Sequence, residues 1–346
     1  MKFTVKFFLL LTIFAFAGLT AQQVVLQSAR TNEPLSKVQI FNEAGKLLAT
    51  SDIEGVIEKS DLEPAQNTYV LIYDGYKIAS LNFTDFSKDI IKLNDRVREI
   101  EEVTIKTSNK AKYIVVRGHF NVYMTVNKEL NVYADGIASY TFDNSTKKLR
   151  NAQVEQYRAF SIDQENADLK KTNTIAYQAF LKLPELENIS KFEDPKSSKK
   201  NYKEFHSEET TKIQFEGQAL EDKAINLFGY RFYDFRYKRV VAFLKESLNL
   251  RDLKEFDEQL FFKFKHKSEP AFHQMIKYAN FVPVEISFAG EPVSGKLKLN
   301  PEKSSYSYEF WKAQGFPNMQ PVFADFFKDK MIEQPNTLKK EVIGFL

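Results

Sequence analysis

Residues 113–143 read YIVVRGHFNVYMTVNKELNVYADGIASYTFD. The stretch holds two long runs rich in aromatic and β-branched residues, which favour strands, on either side of the polar pair Asn127-Lys128. A two-residue turn joins neighbouring antiparallel strands. A third run, AQVEQYRAFSI (152–162), follows another polar turn. We therefore predict an antiparallel meander, in which each strand pairs with the next one along the chain.

The remainder of this region adds further strands and two predicted helices. VVAFLKESLNLRDLKEFDEQLFF (240–262) has apolar residues at spacings of three and four, with Asp252 near a possible helix start. PVFADFFKDKMIE (321–333) is the second predicted helix. Together with the meander, these segments predict a β-rich α+β domain over residues 111–346.

The N-terminal part of the chain predicts a smaller module. Seven short apolar or alternating runs are separated by turns that contain Pro34, Gly45, Gly55 and Gly75. The runs are VVLQSA (24–29), KVQIFN (37–42), KLLATS (46–51), GVIEKS (55–60), TYVLIYD (68–74), YKIASLNF (76–83) and DIIKLN (89–94). Such spacing is typical of a β-sandwich. The predicted fold is therefore mainly β: a seven-strand β-sandwich over 22–95, followed by the β-rich α+β domain with its meander sheet.

Three segments of this module carry a family resemblance. They read NEPLSKVQIFNEAGKLLATSDIEGVI (32–57), VLIYDGYKIASLNF (70–83) and IIKLN (90–94). As a set they resemble the carboxypeptidase-regulatory-like (transthyretin-like) domain, which is common in secreted and outer-membrane proteins of Bacteroidetes-type bacteria. The resemblance implies an accessory folding or docking module without an active site of its own. Residues 96–110 follow it, and we interpret them as a linker with one extended strand.

The first 21 residues predict a secretory signal peptide. A basic start precedes an apolar run, from Phe7 to Phe16, that is shorter than the roughly 20 residues of a membrane-spanning helix. We expect cleavage after Ala21, with Ala15-Phe16-Ala17 as a second candidate site. Export across the inner membrane would give a periplasmic or outer-membrane-associated protein with no transmembrane segment. The sequence has no cysteine, which excludes disulfides, cysteine-ligated metals and the lipid anchor of bacterial lipoproteins.

The net charge argues against a nucleic-acid partner. The 49 Lys and Arg residues are nearly balanced by 46 Asp and Glu residues, which gives a formal charge of +3 over 346 residues. General binders of nucleic acid or anionic membranes carry a larger positive excess. The expected partner is instead an envelope protein, a glycan or an apolar ligand.

One histidine lies at a spacing known from zinc enzymes. His206 and Glu209 fit the pattern H-x-x-E, which places an imidazole and a carboxylate on one metal ion in zinc carboxypeptidases, and His266 or His273 would be the third ligand. A surface histidine in a polar loop is the alternative interpretation, and we expect no cofactor. The sequence contains no G-x-S-x-G motif and no phosphate-binding loop.

The most aromatic and basic stretch is FGYRFYDFRYKRVVAF (228–243). Interleaved aromatic and arginine residues can stack on bases or sugars, although a structural strand is the simpler interpretation. Two-residue alternation predicts Arg231, Tyr233, Phe235 and Tyr237 on one strand face. The candidate ligand-binding residues are Tyr230, Arg231, Tyr233, Phe235 and Tyr237.

These observations predict a non-catalytic secreted envelope protein that binds or docks a partner or ligand. A first alternative is a periplasmic carrier of an apolar ligand, such as a lipid or a lipoprotein acyl chain. A zinc metallopeptidase is the second alternative. A filled core in the second domain would favour docking, whereas a cavity with a continuous apolar lining would favour the carrier.

Overall fold

A computed structural model describes most of the chain and divides it into two compact units. The described residues are 23–64, 68–95, 104–105, 111–163, 183, 186, 202–220, 224–227, 229–244 and 248–338. The first unit takes its described residues from 23–43, 48–73 and 77–95. The second takes 44–47, 74–76 and the residues from 96 onward. The predicted signal peptide, residues 1–21, lies outside the described residues.

The described residues of the first unit form seven strands in two sheets. They are β1 (Gln23–Ser28), β2 (Gln39–Asn42), β3 (Leu47–Thr50), β4 (Val56–Glu58), β5 (Tyr69–Tyr73), β6 (Tyr76–Leu81) and β7 (Ile90–Leu93). One sheet has the order β4-β1-β7 and the other β3-β2-β5-β6. All seven strands fall on the seven segments predicted from the sequence. The pairing of β1 with β7 is parallel, whereas β1 with β4 and β2 with β5 are antiparallel.

Alternation explains why these short segments form strands. In β1, Val24 and Leu26 are fully buried, while Val25 and Gln27, which alternate with them, are only partly buried. Buried apolar residues from both sheets form one hydrophobic cluster, in which the rings of Tyr69 and Phe86 meet edge to face at 5.4 Å. The turn before β4 depends on Gly55, whose φ of +74° few other residues adopt readily.

The described strands of the second unit form one 11-stranded sheet. Its strands are β8 (Thr104–Ile105), β9 (Tyr113–Val126), β10 (Glu129–Asp143), β11 (Leu149–Ile162), β12 (Tyr202–His206), β13 (Thr210–Leu220), β14 (Ile225–Leu227), β15 (Tyr230–Leu244), β16 (Leu253–His266), β17 (His273–Ala289) and β18 (Met331–Glu333). The order is β12-β13-β15-β16-β17-β9-β10-β11-β18, with β14 beside β15 and β8 beside β17. Neighbours run antiparallel except β8 and β17, which are parallel. Strand β8 is the described part of the predicted linker.

The predicted meander of β9, β10 and β11 is confirmed. Asn127 and Lys128 both have positive φ, +52° and +71°, as a type I′ hairpin turn requires. The first two predicted strands match residue for residue, and the third begins three residues early, at Leu149. Two glycines of the meander strands face aromatic rings: Gly136 lies against Phe120, and Gly118 lies against Phe281.

The predicted helix over 240–262 is wrong. Strand β15 continues to Leu244, a 3₁₀ turn spans Leu250–Asp252, and β16 follows at once. Leu253 and Phe256, three residues apart, are both buried because a register shift with β15 lies between them. This spacing imitates that of a helix. Within the part of the chain that the structure describes, the one α-helix is α1 (Gln320–Phe327), which ends six residues before the predicted 333. The described part of the unit is therefore mainly β.

The two faces of the large sheet differ in composition. The face that we call the core face carries the main hydrophobic cluster, whose largest members include Phe120, Tyr140, Phe243, Phe256, Phe262, Phe264 and Phe281. We call the opposite face the second face. Helix α1 covers part of it, because the Phe323 ring packs edge-on against Tyr123 and Tyr133 at 5.3 and 5.4 Å. No helix among the described residues has the length and apolar character to cross a membrane.

Candidate functional site

The five candidate residues from the sequence all lie on strand β15, but a β-bulge interrupts that strand. Asp234 and Phe235 together oppose the single residue Phe262 of β16, and Asp234 has a φ of +58°. A bulge bends the strand and changes which face the following residues occupy. The two-residue alternation predicted from the sequence therefore fails at Asp234.

The bulge divides the five candidates between the two faces. Arg231 and Tyr233 lie on the second face. Phe235 lies on the core face, where its ring stacks on that of Phe262 at 5.3 Å, and Tyr230 also packs against the core cluster. Tyr237 shares the core face, because it follows Phe235 at a two-residue interval. The predicted common face for Arg231, Tyr233, Phe235 and Tyr237 is therefore wrong.

The second face of β15 and β16 carries a group of aromatic and basic side chains that we call the cation–aromatic patch. Its members are Arg231, Tyr233, Arg236, Phe261, Lys263, Lys265 and Phe272. Arg231 and Arg236 are exposed to solvent and the other members are half-buried. This composition places fixed positive charge on a solvent-facing part of the sheet.

Phe261 lies at the centre of the patch and contacts two cations. The Arg236 guanidinium carbon lies 3.9 Å from the centroid of the Phe261 ring, and the Lys263 ammonium lies 5.9 Å from the same centroid. Lys263 also lies 5.6 Å from the centroid of Tyr233. Attraction between a cation and the negative ring face restrains these long side chains.

Tyr233, Phe272 and Lys265 form the other end of the patch. The rings of Tyr233 and Phe272 meet edge to face at 4.4 Å, and the Lys265 ammonium lies 4.8 Å from the Phe272 centroid. Arg231 lies directly opposite Lys265 in the strand register. Like charges in directly opposed positions destabilise a sheet, so this pair is an unfavourable arrangement for the isolated protein.

One carboxylate partly neutralises the patch. Asp234 Oδ1 lies 3.1 Å from Arg236 Nε, and its Oδ2 lies 3.2 Å from Lys263 Nζ. Among the described residues, no carboxylate lies within 4.0 Å of a nitrogen of Arg231 or Lys265. The patch therefore keeps a net positive charge, concentrated at the end that holds those two cations.

A separate charged group lies on the core face. Glu258 accepts a 2.7 Å hydrogen bond from Lys277 Nζ and a 2.9 Å hydrogen bond from Arg239 Nε. The side chains of Glu258 and Lys277 are buried, and that of Arg239 is 40% exposed. Burial alone would raise the pKa of Glu258, but the charges of Lys277 and Arg239 outweigh it and hold that pKa below its ordinary value. The group links three adjacent strands, because Arg239 lies on β15, Glu258 on β16 and Lys277 on β17.

A buried ion pair lies beneath the C-terminal segment on the second face. Asp135 accepts hydrogen bonds from Arg158 Nε at 2.9 Å, from a second Arg158 nitrogen at 2.5 Å, and from the Tyr133 hydroxyl at 2.7 Å. Arg158 also lies 4.1 Å from the centroid of Trp311. Burial alone would lower the pKa of the Arg158 guanidinium. The hydrogen bonds and negative charge of Asp135 outweigh this effect, so the pKa is raised. The pair is inaccessible to solvent and has a structural role.

The two metal candidates lie at a hairpin between β12 and β13. His206 Nδ1 lies 3.0 Å from the Thr211 hydroxyl, and its Nε2 lies 3.0 Å from Glu204. Glu209 is exposed in the turn, where its backbone N–H donates to the Ser207 hydroxyl. Within the described ranges, no three His, Asp or Glu side chains converge in a way that would hold a metal ion.

The β16 residues of the patch were not among the candidates predicted from the sequence. Residues 262–265, FKFK, alternate phenylalanine with lysine at a two-residue period, which is the signal of a strand with one apolar and one basic face. The helical interpretation of 240–262 obscured it. Phe272 lies in the connection between β16 and β17, and no periodic pattern marks it.

Comparisons with known proteins give little information on this chain. No protein-family model matches it, and no curated protein matches it. A solved structure described as "Lipid-protein interactions in lipovitellin" is similar over 54% of this chain and 26% of that one, with 7% sequence identity and a TM-score of 0.25. A similarity this low indicates neither a shared fold nor a shared function.

Proposed function

We propose that this chain is a secreted, non-catalytic envelope protein that binds a partner or ligand through the cation–aromatic patch. The observation that carries the proposal is the fixing of Arg236, Lys263 and Lys265 against aromatic rings on a solvent-facing part of the sheet. Long basic side chains normally lose rotamer freedom when they bind. Side chains that are already restrained lose less, which favours binding.

The first unit would serve as a rigid platform for this surface. We propose that it is a seven-strand β-sandwich of the carboxypeptidase-regulatory-like type. Its three-stranded and four-stranded sheets, which contribute to one hydrophobic cluster, support this assignment. The resemblance implies an accessory module without an active site of its own, so the second unit would supply recognition.

Docking is favoured over transport of an apolar ligand by the packing of the core face. Its buried rings contact one another: Tyr140 meets Phe281 edge to face at 4.8 Å, and Phe232 stacks on Phe264 at 6.1 Å. A carrier would instead use such residues to line a cavity that its ligand fills. The metallopeptidase alternative has only the pair His206 and Glu209, and His206 is already engaged by Glu204 and Thr211.

A binding panel with a patch variant tests the proposal. The probes are neutral and anionic polysaccharides, an acidic polypeptide and anionic phospholipid vesicles, each immobilised and exposed to residues 22–346. We expect at least one probe to bind the wild-type protein and to bind R231Q/R236Q/K263Q/K265Q more weakly, and we expect it to be recovered chemically unchanged. Equal binding of both proteins to every retained probe would contradict the proposal.

Native mass spectrometry of the protein purified from its own envelope tests the location. A mass that begins at Gln22 is expected if the signal peptide is removed on export. An intact N-terminus, or recovery from the cytoplasmic fraction, would overturn the proposed secretion. The same spectrum would reveal any retained ligand by its added mass.

A further inference from the structure

We infer that the ligand of the cation–aromatic patch is an anionic polysaccharide, with a carboxylate or a sulfate on successive sugar rings. The inference rests on the proposed function, because it names the ligand class of the same surface. It is carried by three features of the patch: an opposed pair of like charges, the spacing of the cations, and the half-buried rings between them.

The positive charge of the patch favours binding of an anion between Arg231 and Lys265. Arg231 and Lys265 are directly opposed across the strand pair, and no described carboxylate lies within 4.0 Å of their nitrogens. Their mutual repulsion destabilises the free protein. An anionic group bound between the two side chains would relieve it and would gain from both charges at once.

The geometry of the two strands places three of these cations at short distances from one another. Lys263 and Lys265 lie on one face of β16 two residues apart, an interval of about 6.7 Å. Arg231 lies opposite Lys265 on the adjacent strand, about 5 Å away between backbones. A polymer with one acidic group on each ring carries many anions along a single chain. Several cations can then bind neighbouring groups of one chain.

The rings distinguish a sugar polymer from other polyanions. Half-buried Tyr233 and Phe272 present apolar surface between the cations, on which the C–H face of a pyranose ring can pack. An acidic polypeptide would present its carboxylates on flexible side chains, each of which must be ordered on binding. Nucleic acid is disfavoured by the near-neutral formal charge of the chain, which is +3 over 346 residues.

The test compares matched probes and matched variants by isothermal titration calorimetry at low salt. The probes are polygalacturonate, its fully methyl-esterified form, dextran sulfate and polyglutamate. The proteins are residues 22–346 in wild-type form, K263Q/K265Q, and the control K296Q/K303Q. The control removes two exposed lysines outside the patch and changes the net charge equally.

We expect the wild-type protein to bind polygalacturonate or dextran sulfate, and to bind the methyl ester at least about tenfold more weakly. K263Q/K265Q should lose about tenfold in affinity, and K296Q/K303Q should keep the wild-type value. Binding of polygalacturonate alone identifies a carboxylated polymer, and binding of dextran sulfate alone identifies a sulfated one. Either result supports the inference.

Other outcomes would contradict the anionic-polysaccharide inference, and they distinguish its failure from a failure of the proposed function. If polyglutamate binds as tightly as either polysaccharide and responds to K263Q/K265Q, the patch recognises acidic protein, and the proposed function stands without this ligand class. If the methyl ester binds equally well, charge is irrelevant to recognition. If neither anionic polysaccharide binds, the inference fails, and the wider panel described above decides whether the patch binds anything.

Discussion

The Arg236 guanidinium carbon lies 3.9 Å from the centroid of Phe261, its direct partner in the register of β15 and β16. The side chain of Arg236 is 52% exposed, so solvent screens its ion pair with Asp234. The ring therefore contributes to fixing the guanidinium. This relationship explains how a solvent-facing part of a sheet can hold a basic side chain in one orientation.

A double-mutant cycle measures that relationship. We expect R236Q and F261L to show a coupling of about 0.5–1 kcal/mol in the free energy of unfolding, the range of exposed cation–π contacts. Urea denaturation of the four proteins gives the value. Arg231 has no such ring contact among the described residues, so R231Q and F261L should be additive. Equal coupling in both cycles would show that Phe261 acts only through general packing.

The buried pair of Asp135 and Arg158 predicts a larger effect on stability. Asp135→Asn should lower the free energy of unfolding by about 3–5 kcal/mol, because it leaves the Arg158 charge buried without a counter-ion. The exposed pair of Lys312 and Glu309 is the control, and Lys312→Met should cost less than about 1 kcal/mol. Comparable losses in the two variants, measured by urea denaturation, would refute the structural role assigned to Asp135.

Stability should fall in acid because of Glu258. Its pKa is lowered in the folded protein, so the unfolded chain, with a Glu pKa of about 4.3, takes up a proton first as the pH falls. The contribution of Glu258 is therefore fully present above about pH 5 and is lost as the pH falls through the folded pKa. Unfolding free energies measured at pH 7 and pH 4 should differ less in E258Q/K277M than in the wild type. An unchanged difference would assign the acid sensitivity to other groups.

Gly136 should not tolerate a side chain. An added methyl group would collide with the Gln156 carbonyl oxygen and with the Phe120 ring. We expect Gly136→Ala to reduce stability by about 1–3 kcal/mol, or more if the strands separate. Gly290→Ala is the matched control, since nothing lies within 4 Å of its added carbon, and it should change stability by less than about 0.5 kcal/mol. Thermal unfolding compares the two, and similar melting temperatures would disprove the steric explanation.

The sequence was informative where local pattern decides the structure. Strands β9 and β10 were predicted to the residue because Asn127 and Lys128 form a turn between two continuous β-favouring runs. Strand β16 was missed because its apolar residues near Leu253 imitate helical spacing and only tertiary pairing resolves the ambiguity. Hydrogen bonding along β15 and β17 imposes the extended conformation there.

The candidate site was predicted only in part, for similar reasons. The aromatic and basic composition of β15 indicated a binding site there, and Arg231 and Tyr233 do belong to the cation–aromatic patch. The bulge at Asp234 could not be foreseen, because a bulge depends on the pairing of two strands and leaves no fixed pattern in one of them. Phe235 and Tyr237 were therefore assigned to the wrong face, and Phe272 was not considered.

The place of β9 in the sheet has a consequence for biosynthesis. One edge of β9 pairs with β10, which leaves the ribosome directly after it, but the other edge pairs with β17, as Asn121 and Asn280 do across a separation of 159 residues. Until β17 has been made, that edge offers its backbone groups to any extended chain, including a second nascent copy. Folding of the second unit must therefore wait for most of the chain, and a chaperone that shields nascent strands should raise its yield.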